Sequence, residues 1–175
     1  MTDLLNEIQE KAFLGREFLT WLLLGAMKSG PQFNIKGVGA FELQFDRTIV
    51  LEGEDTGARR VTLAGSTVSI APEVLAALRS GKLVSRARLR FLWDDSTWDV
   101  TLNGATFDFS GVRVPVPNVP EVEELFILRL RELEKFLKFF TALFHHFLAL
   151  RLDGGRWKAT LKEFEELAVW ENAAP

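Results

Sequence analysis

Five basic residues between positions 79 and 90 are the side chains in this sequence best placed to do chemistry: Arg79, Lys82, Arg86, Arg88 and Arg90, with no acid among them. Arg86, Arg88 and Arg90 recur two apart in LVSRARLRFLW, a stretch that alternates as a strand does. Successive strand side chains point to opposite faces, so the three guanidinium groups should share one face. Ser80-Gly81 should close a preceding helical segment, and Lys82 should then leave a tight turn beside that face. The chain as a whole carries a net charge of −3, so any anion-binding surface must be local. Phosphates suit such a stripe, because arginine grips them with a planar fork. The alternative is a solvated sheet face whose arginines pair across strands with Asp99, Asp108 or Glu42.

The remaining chemistry-bearing residues point to no reaction. The sequence has no cysteine, which excludes disulfides, thiolate metal sites and thiol nucleophiles and suits a reducing cytoplasm. His145 and His146 are its only histidines. Neighbours on a helix diverge by about 100°, so they cannot act as an i, i+4 metal pair. Asp94, Asp95 and Asp99 form a small acidic cluster, two of them in hairpin-tip chemistry. A metal-dependent nuclease would need acids and a lysine converging on one sheet edge, and no spacing here makes that case. Gly37-Val38-Gly39-Ala40-Phe41 lacks the third glycine and following helix of a phosphate-binding turn and reads as a strand entry. The expectation is a non-enzymatic protein with no catalytic residue, metal or cofactor.

The elements that must position these residues alternate in a simple order. Residues 2–28 carry helical periodicity, with Thr2 as cap, Asp3 and Glu7 at the positive end, and Ser29-Gly30-Pro31 as the stop. FELQF, TIVLE after Asp46-Arg47, and RRVTLAGSTVSI read as strands. Pro72 opens a short helix. LVSRARLRFLW, TWDVTLNG and TFDFSGVRV are three further strands, joined by Asp94–Thr97 and by Asn103-Gly104, the latter being the stronger hairpin signal. A long helix should span about 120–151, with a break at Gly154-Gly155 and a last helix after it. The order α-βββ-α-βββ-α-α with short hairpin loops implies an α+β fold around an antiparallel sheet of about six strands. With 175 residues the expectation is one domain, divided into an N-terminal helix (1–30), a sheet core (31–118) and a C-terminal helical segment (119–175). The start, MTDLLNEIQEKAF, lacks the basic region of a signal peptide. The apolar run from Phe18 to Met27 is ten residues, too short to span a bilayer. A cytoplasmic protein with no membrane partner is expected.

Phe126, Leu130, Leu133, Leu137, Phe140, Phe144 and Phe147 form a 4-3 seam along the long helix. Phe136, Phe139, Leu143 and Leu150 make a second apolar face, so the helix should be covered on two sides. Either the sheet and the helix carrying Trp21 to Met27 supply both covers, or a partner subunit supplies one.

Taken together, several segments resemble the RdgC family. FLGREFLTWL (residues 13–22) resembles a signature of shorter RdgC-like proteins. FELQFD, RRVTLAG, APEVLAALRSGKLVSRARLRF, TWDVTL and TFDFSGVRVP, followed by the Phe-rich helix ending FLALR, resemble the carboxy-terminal half of RdgC. The likeness covers most of residues 13–151 and rests on order and spacing. It implies a non-enzymatic, nucleoid-associated dimer that binds duplex DNA without sequence preference and restrains the recombinase RecA. In that family the Gly-Lys lysine faces DNA, and Lys82 occupies its place. The likeness does not extend to the amino-terminal half of the long members, and Ser66-Thr67-Val68 lacks the basic character of the corresponding stretch in them. The first expectation is therefore duplex-DNA binding through Lys82, Arg79, Arg86, Arg88 and Arg90. The alternative is a protein-interaction or oligomerisation subunit that kept the fold and lost DNA binding. Whether the five basic residues face solvent or are neutralised by acids distinguishes the two.

Overall fold

The computed structural model describes residues 12–53, 60–65, 72–115 and 122–170. The first helix, α1, runs Ala12–Ser29 and stops at Gly30, whose φ of 74° ends the helical path. The caps expected at Thr2, Asp3 and Glu7 lie outside the described residues. Strands β1 (Gln32–Ile35), β2 (Gly39–Glu52) and β3 (Arg60–Gly65) follow, then the short helix α2 (Pro72–Arg79). Strands β4 (Leu83–Trp93), β5 (Ser96–Asn103) and β6 (Asp108–Arg113) precede the long helix α3 (Val122–Leu152) and the last helix α4 (Gly154–Trp170). The fold is α+β, with an open, wholly antiparallel six-stranded sheet in the order β1-β2-β4-β5-β6. Strand β3 pairs with β2 beyond the stretch that pairs with β1.

One face of this sheet carries the core. Inward positions of β4 and β5, including Leu89, Phe91, Trp98, Val100 and Leu102, are buried, while Arg86, Thr97 and Thr101 look outward. Helix α1 and the C-terminal half of α3 cover the inner face. Phe139 of α3 packs on Phe41, Phe91, Trp93 and Trp98 of the sheet. Phe18 of α1 is fully buried among Phe107, Phe140, Phe144 and Phe147, with centroids 5.2 to 6.1 Å away. Rings of this kind contribute edge-to-face contact beyond the area they bury.

Three junctions differ from expectation. Asp46-Arg47 does not separate two strands. Arg47 takes φ 56° as part of a bulge, and β2 continues through it for 14 residues while the pairing with β4 jumps between Phe45 and Ile49. The tight hairpin is the one at Asp94-Asp95, both in the left-handed region (φ 47° and 59°) between paired Trp93 and Ser96. Asn103-Gly104 instead opens a four-residue loop before Asp108, with Phe107 at φ 57°. The tertiary packing accounts for the wider loop. A Cβ on Gly15 of α1 would strike the Gly104 carbonyl oxygen, so helix and loop approach closely, and Phe107 reaches in to Phe18, Phe140 and Phe144. Finally, the expected break after α3 falls at Asp153, one residue before Gly154-Gly155, which form the first turn of α4. Asp153 caps it, its Oδ1 accepting from the N–H groups of Gly155 (3.2 Å) and Arg156 (3.1 Å).

Candidate functional site

The turn that delivers the basic strand is a Schellman motif. Gly81 N–H donates to Leu78 O (2.9 Å) and Lys82 N–H to Ala77 O (3.1 Å), with Gly81 at φ 78°. The expected glycine turn is therefore present, but it does not place Lys82 beside the arginines. Pairing with β2 runs Leu51 to Val84 and then Val50 to Arg86, leaving Ser85 as an extra residue on β4. This bulge inverts the alternation. Val84 before it and Ala87, Leu89 and Phe91 after it all point into the core, and Lys82, in step with Val84, lies on the inner side. Lys82 is only 5% exposed. Its stem lies over Gly53, where an added Cβ would come within 3.0 Å of its Cγ. Its Nζ donates to Ser80 Oγ (2.8 Å), which in turn donates to Ala77 O (2.8 Å). The expectation that Lys82 shares an exposed surface with Arg86, Arg88 and Arg90 is overturned.

Arg86, Arg88 and Arg90 do share the outer face, as their spacing implied. Two of them meet acids there. Arg90 donates to both carboxylate oxygens of Asp99 (2.7 and 3.4 Å). That hydrogen bond first, and then the carboxylate's charge, hold its guanidinium still more firmly protonated. Arg88 Nε lies 3.2 Å from Asp46 Oδ2. Of the cross-strand partners named from sequence, Asp99 serves. Glu42 is taken by Gln32 and Gln44, and Asp108 by Thr106. Asp46 faces outward by the same alternation that turns Phe45 inward, and it lies beside Arg88 of β4 where the register shifts between Phe45 and Ile49. Arg86 and Arg79 are exposed and form no ion pair among the described residues.

The acidic tip is structural. Lys135 of α3 donates to Asp94 O (2.8 Å) and Ser96 Oγ (2.9 Å), contacts Asp94 Oδ2 (2.9 Å), and lies over the Trp93 and Trp98 rings. It thereby fastens the β4–β5 hairpin to α3. His145 is exposed, and His146 is half-buried against Trp21. Burial first, and the Arg156 charge second, lower the His146 pKa. Among the described residues no three His, Asp or Glu side chains are placed to hold a metal ion. No described helix is long and apolar enough to cross a membrane.

The surface that the charge pattern did not signal is on α3. Its 31 residues extend about 46 Å at 1.5 Å per residue. Only the C-terminal half lies against the core, where Phe136, Phe139, Phe140, Leu143, Phe147 and Leu150 are buried. The N-terminal half leaves Phe126 66% and Leu130 55% exposed, together with Val122, Ile127 and Leu137. The seam expected to run unbroken from Phe126 to Phe147 is thus divided into a free half and a core half. At about 100° per residue, Phe126, Leu130, Leu133 and Leu137 cluster on one line roughly a quarter-turn from the core-facing side.

Comparison of the chain with protein-family models, curated proteins and solved structures found no match.

Proposed function

We propose that this chain is a non-enzymatic self-association domain in which two copies pair along the free half of α3. The observation that carries this is the exposed line Phe126, Leu130 and Leu137, with Leu133 half-buried against the core between them, spaced 4-3-4 on a helix whose other apolar face is already used. Exposed apolar clusters of this kind mark association surfaces, and this spacing is that of a coiled-coil seam. Charge selects a second copy in parallel. With Leu130 and Leu137 at a and Phe126 and Leu133 at d, Arg129 falls at g and Glu134 at e. In a parallel pair the g residue of one helix meets the e residue of the next heptad on the other, so Arg129 and Glu134 of the two copies attract twice over. The exposed Glu134–Lys138 pair within one helix (2.9 Å) is weak enough to exchange partners. Sedimentation equilibrium should give a dimer at tens of micromolar and a monomer for Leu130→Glu of unchanged helicity. A wild-type monomer at that concentration would refute the pairing.

Duplex-DNA binding of RdgC type is the second reading. It is favoured by Arg79 and Arg86, which meet no acid among the described residues, and weakened by the pairing of Arg88 and Arg90 and the burial of Lys82. Binding to random duplex should then depend on salt, with a slope of roughly −0.9 in log K against log salt for each neutralised phosphate. Arg86→Ala should lower that slope by about one. Absence of binding at low salt by the folded protein would remove this reading and leave self-association standing.

A further inference from the structure

A cleft of about 490 Å3 lies between α1, α2 and α4, away from both the outer sheet face and the free half of α3. Trp21 and Leu24 form one wall, Leu75 and Leu78 another, Trp157 and Phe164 the third. We infer that this cleft binds an anionic amphiphile, a carboxylate with a hydrocarbon tail, its tail between these walls and its head toward Arg79 and Lys82.

The walls supply the apolar part. The volume falls within the range of about 300–1000 Å3 typical of small-ligand sites, which join apolar walls to a few polar groups. Charge selects the head group. Among the described residues four charged side chains line the cleft: Glu17, Arg79, Lys82 and Glu165. Glu17 is occupied by Arg151, which donates to both its oxygens (2.6 and 3.4 Å). Glu165 is exposed on α4 and keeps its hydration. Two cations therefore stand against one hydrated acid. Lys82 matters most, being 5% exposed with no carboxylate in salt-bridge range among the described residues. An ammonium has three N–H donors, and Ser80 Oγ accepts one. A buried charge without a counter-charge is costly; among the described residues Lys82 has none, and a carboxylate docking beside it would supply one. An alcohol recovers only part of that cost, and a cationic head adds to it.

The test uses decanoate, 1-decanol and decyltrimethylammonium below their micellar concentrations. Binding is read by tryptophan fluorescence, since Trp21 and Trp157 line the cleft, and by titration calorimetry. Decanoate should bind at least about tenfold more tightly than decanol, the factor that one charge-assisted hydrogen bond supplies, and the cation more weakly than either. Lys82→Met should bring decanoate down to the level of decanol while leaving decanol unchanged. Arg79→Gln, at an exposed position, should weaken decanoate alone and serves if Lys82→Met fails to fold. Leu130→Glu should bind decanoate as the wild type does, which separates this site from the α3 seam. No binding of decanoate, equal affinity for decanoate and decanol, or decanoate affinity unchanged in the folded variants would each overturn the assignment.

Discussion

Within the nine residues from Lys82 to Arg90, one extra residue sends basic side chains to opposite sides of a sheet. Ser85 is absorbed as a bulge, its hydroxyl donating to Val50 O (3.2 Å), so Lys82 turns inward while Arg86, Arg88 and Arg90 turn out. If the outer face is a phosphate surface, Asp46 and Asp99 restrain it. The double variant Asp46→Asn, Asp99→Asn should then bind random duplex DNA more tightly than the wild type, with a steeper salt dependence. Equal and salt-insensitive behaviour of the two proteins in a filter-binding assay would show that these arginines do not serve DNA. Each half-exposed pair should be worth no more than about 1 kcal/mol of stability. His146 provides a titration test. Its folded pKa is lowered by burial and by Arg156, so the unfolded chain takes up the proton first as pH falls. Its contribution is complete above the ordinary histidine value of 6.5 and shrinks below it until the folded value is reached. The urea midpoint should fall less between pH 7.5 and 5.5 for His146→Gln than for the wild type. Equal falls would show that the imidazole does not contribute.

Among the elements, α3 has two roles in series along its length. Phe139 represents the core half. It is 2% exposed and lies against four aromatic rings of the sheet, so Phe139→Ala should cost about 3–5 kcal/mol, seen as a lower denaturation midpoint. Leu130 represents the free half, and Leu130→Glu should leave the stability of the isolated domain within about 0.5 kcal/mol while abolishing the dimer. A dimer retained in that variant would place the interface elsewhere. The contact of α1 with the β5–β6 loop sets a second constraint. Gly15 admits no Cβ because the Gly104 carbonyl occupies that space, and Gly15→Ala should destabilise by about 1–3 kcal/mol through overpacking. A thermal midpoint unchanged in Gly15→Ala would mean that helix and loop separate without cost.

At the scale of the whole molecule, the α+β class, the antiparallel sheet and the second βββ run were legible in the sequence, because they follow from local signals, whereas in the first run FELQF and TIVLE are one strand, β2, and β1 (Gln32–Ile35) was not read as a strand. Period-two runs, Pro72 at the start of α2, Gly81 at its end and Gly30 after α1 each act within a few residues of themselves. The common face of Arg86, Arg88 and Arg90 was legible for the same reason, as was Asp99 for a partner. The strength of a turn motif did not transfer. Asn103-Gly104 had the better local hairpin chemistry, yet Asp94-Asp95 makes the tight turn, because Gly104 must meet Gly15 and Phe107 must fill the space beside Phe18. The side to which Lys82 turns was not legible either, since a bulge appears only when β4 is laid against β2. The division of the Phe126–Phe147 seam likewise depends on where the sheet ends beneath α3, and periodicity carries no record of what a helix face meets. Sequence by itself therefore determined which residues share a face within an uninterrupted run, because backbone geometry repeats every two or 3.6 residues. Only the tertiary structure decided which of those faces are buried, paired or free, because burial and neutralisation depend on residues distant in the chain, such as Asp46 beside Arg88 and Trp157 across the cleft from Lys82.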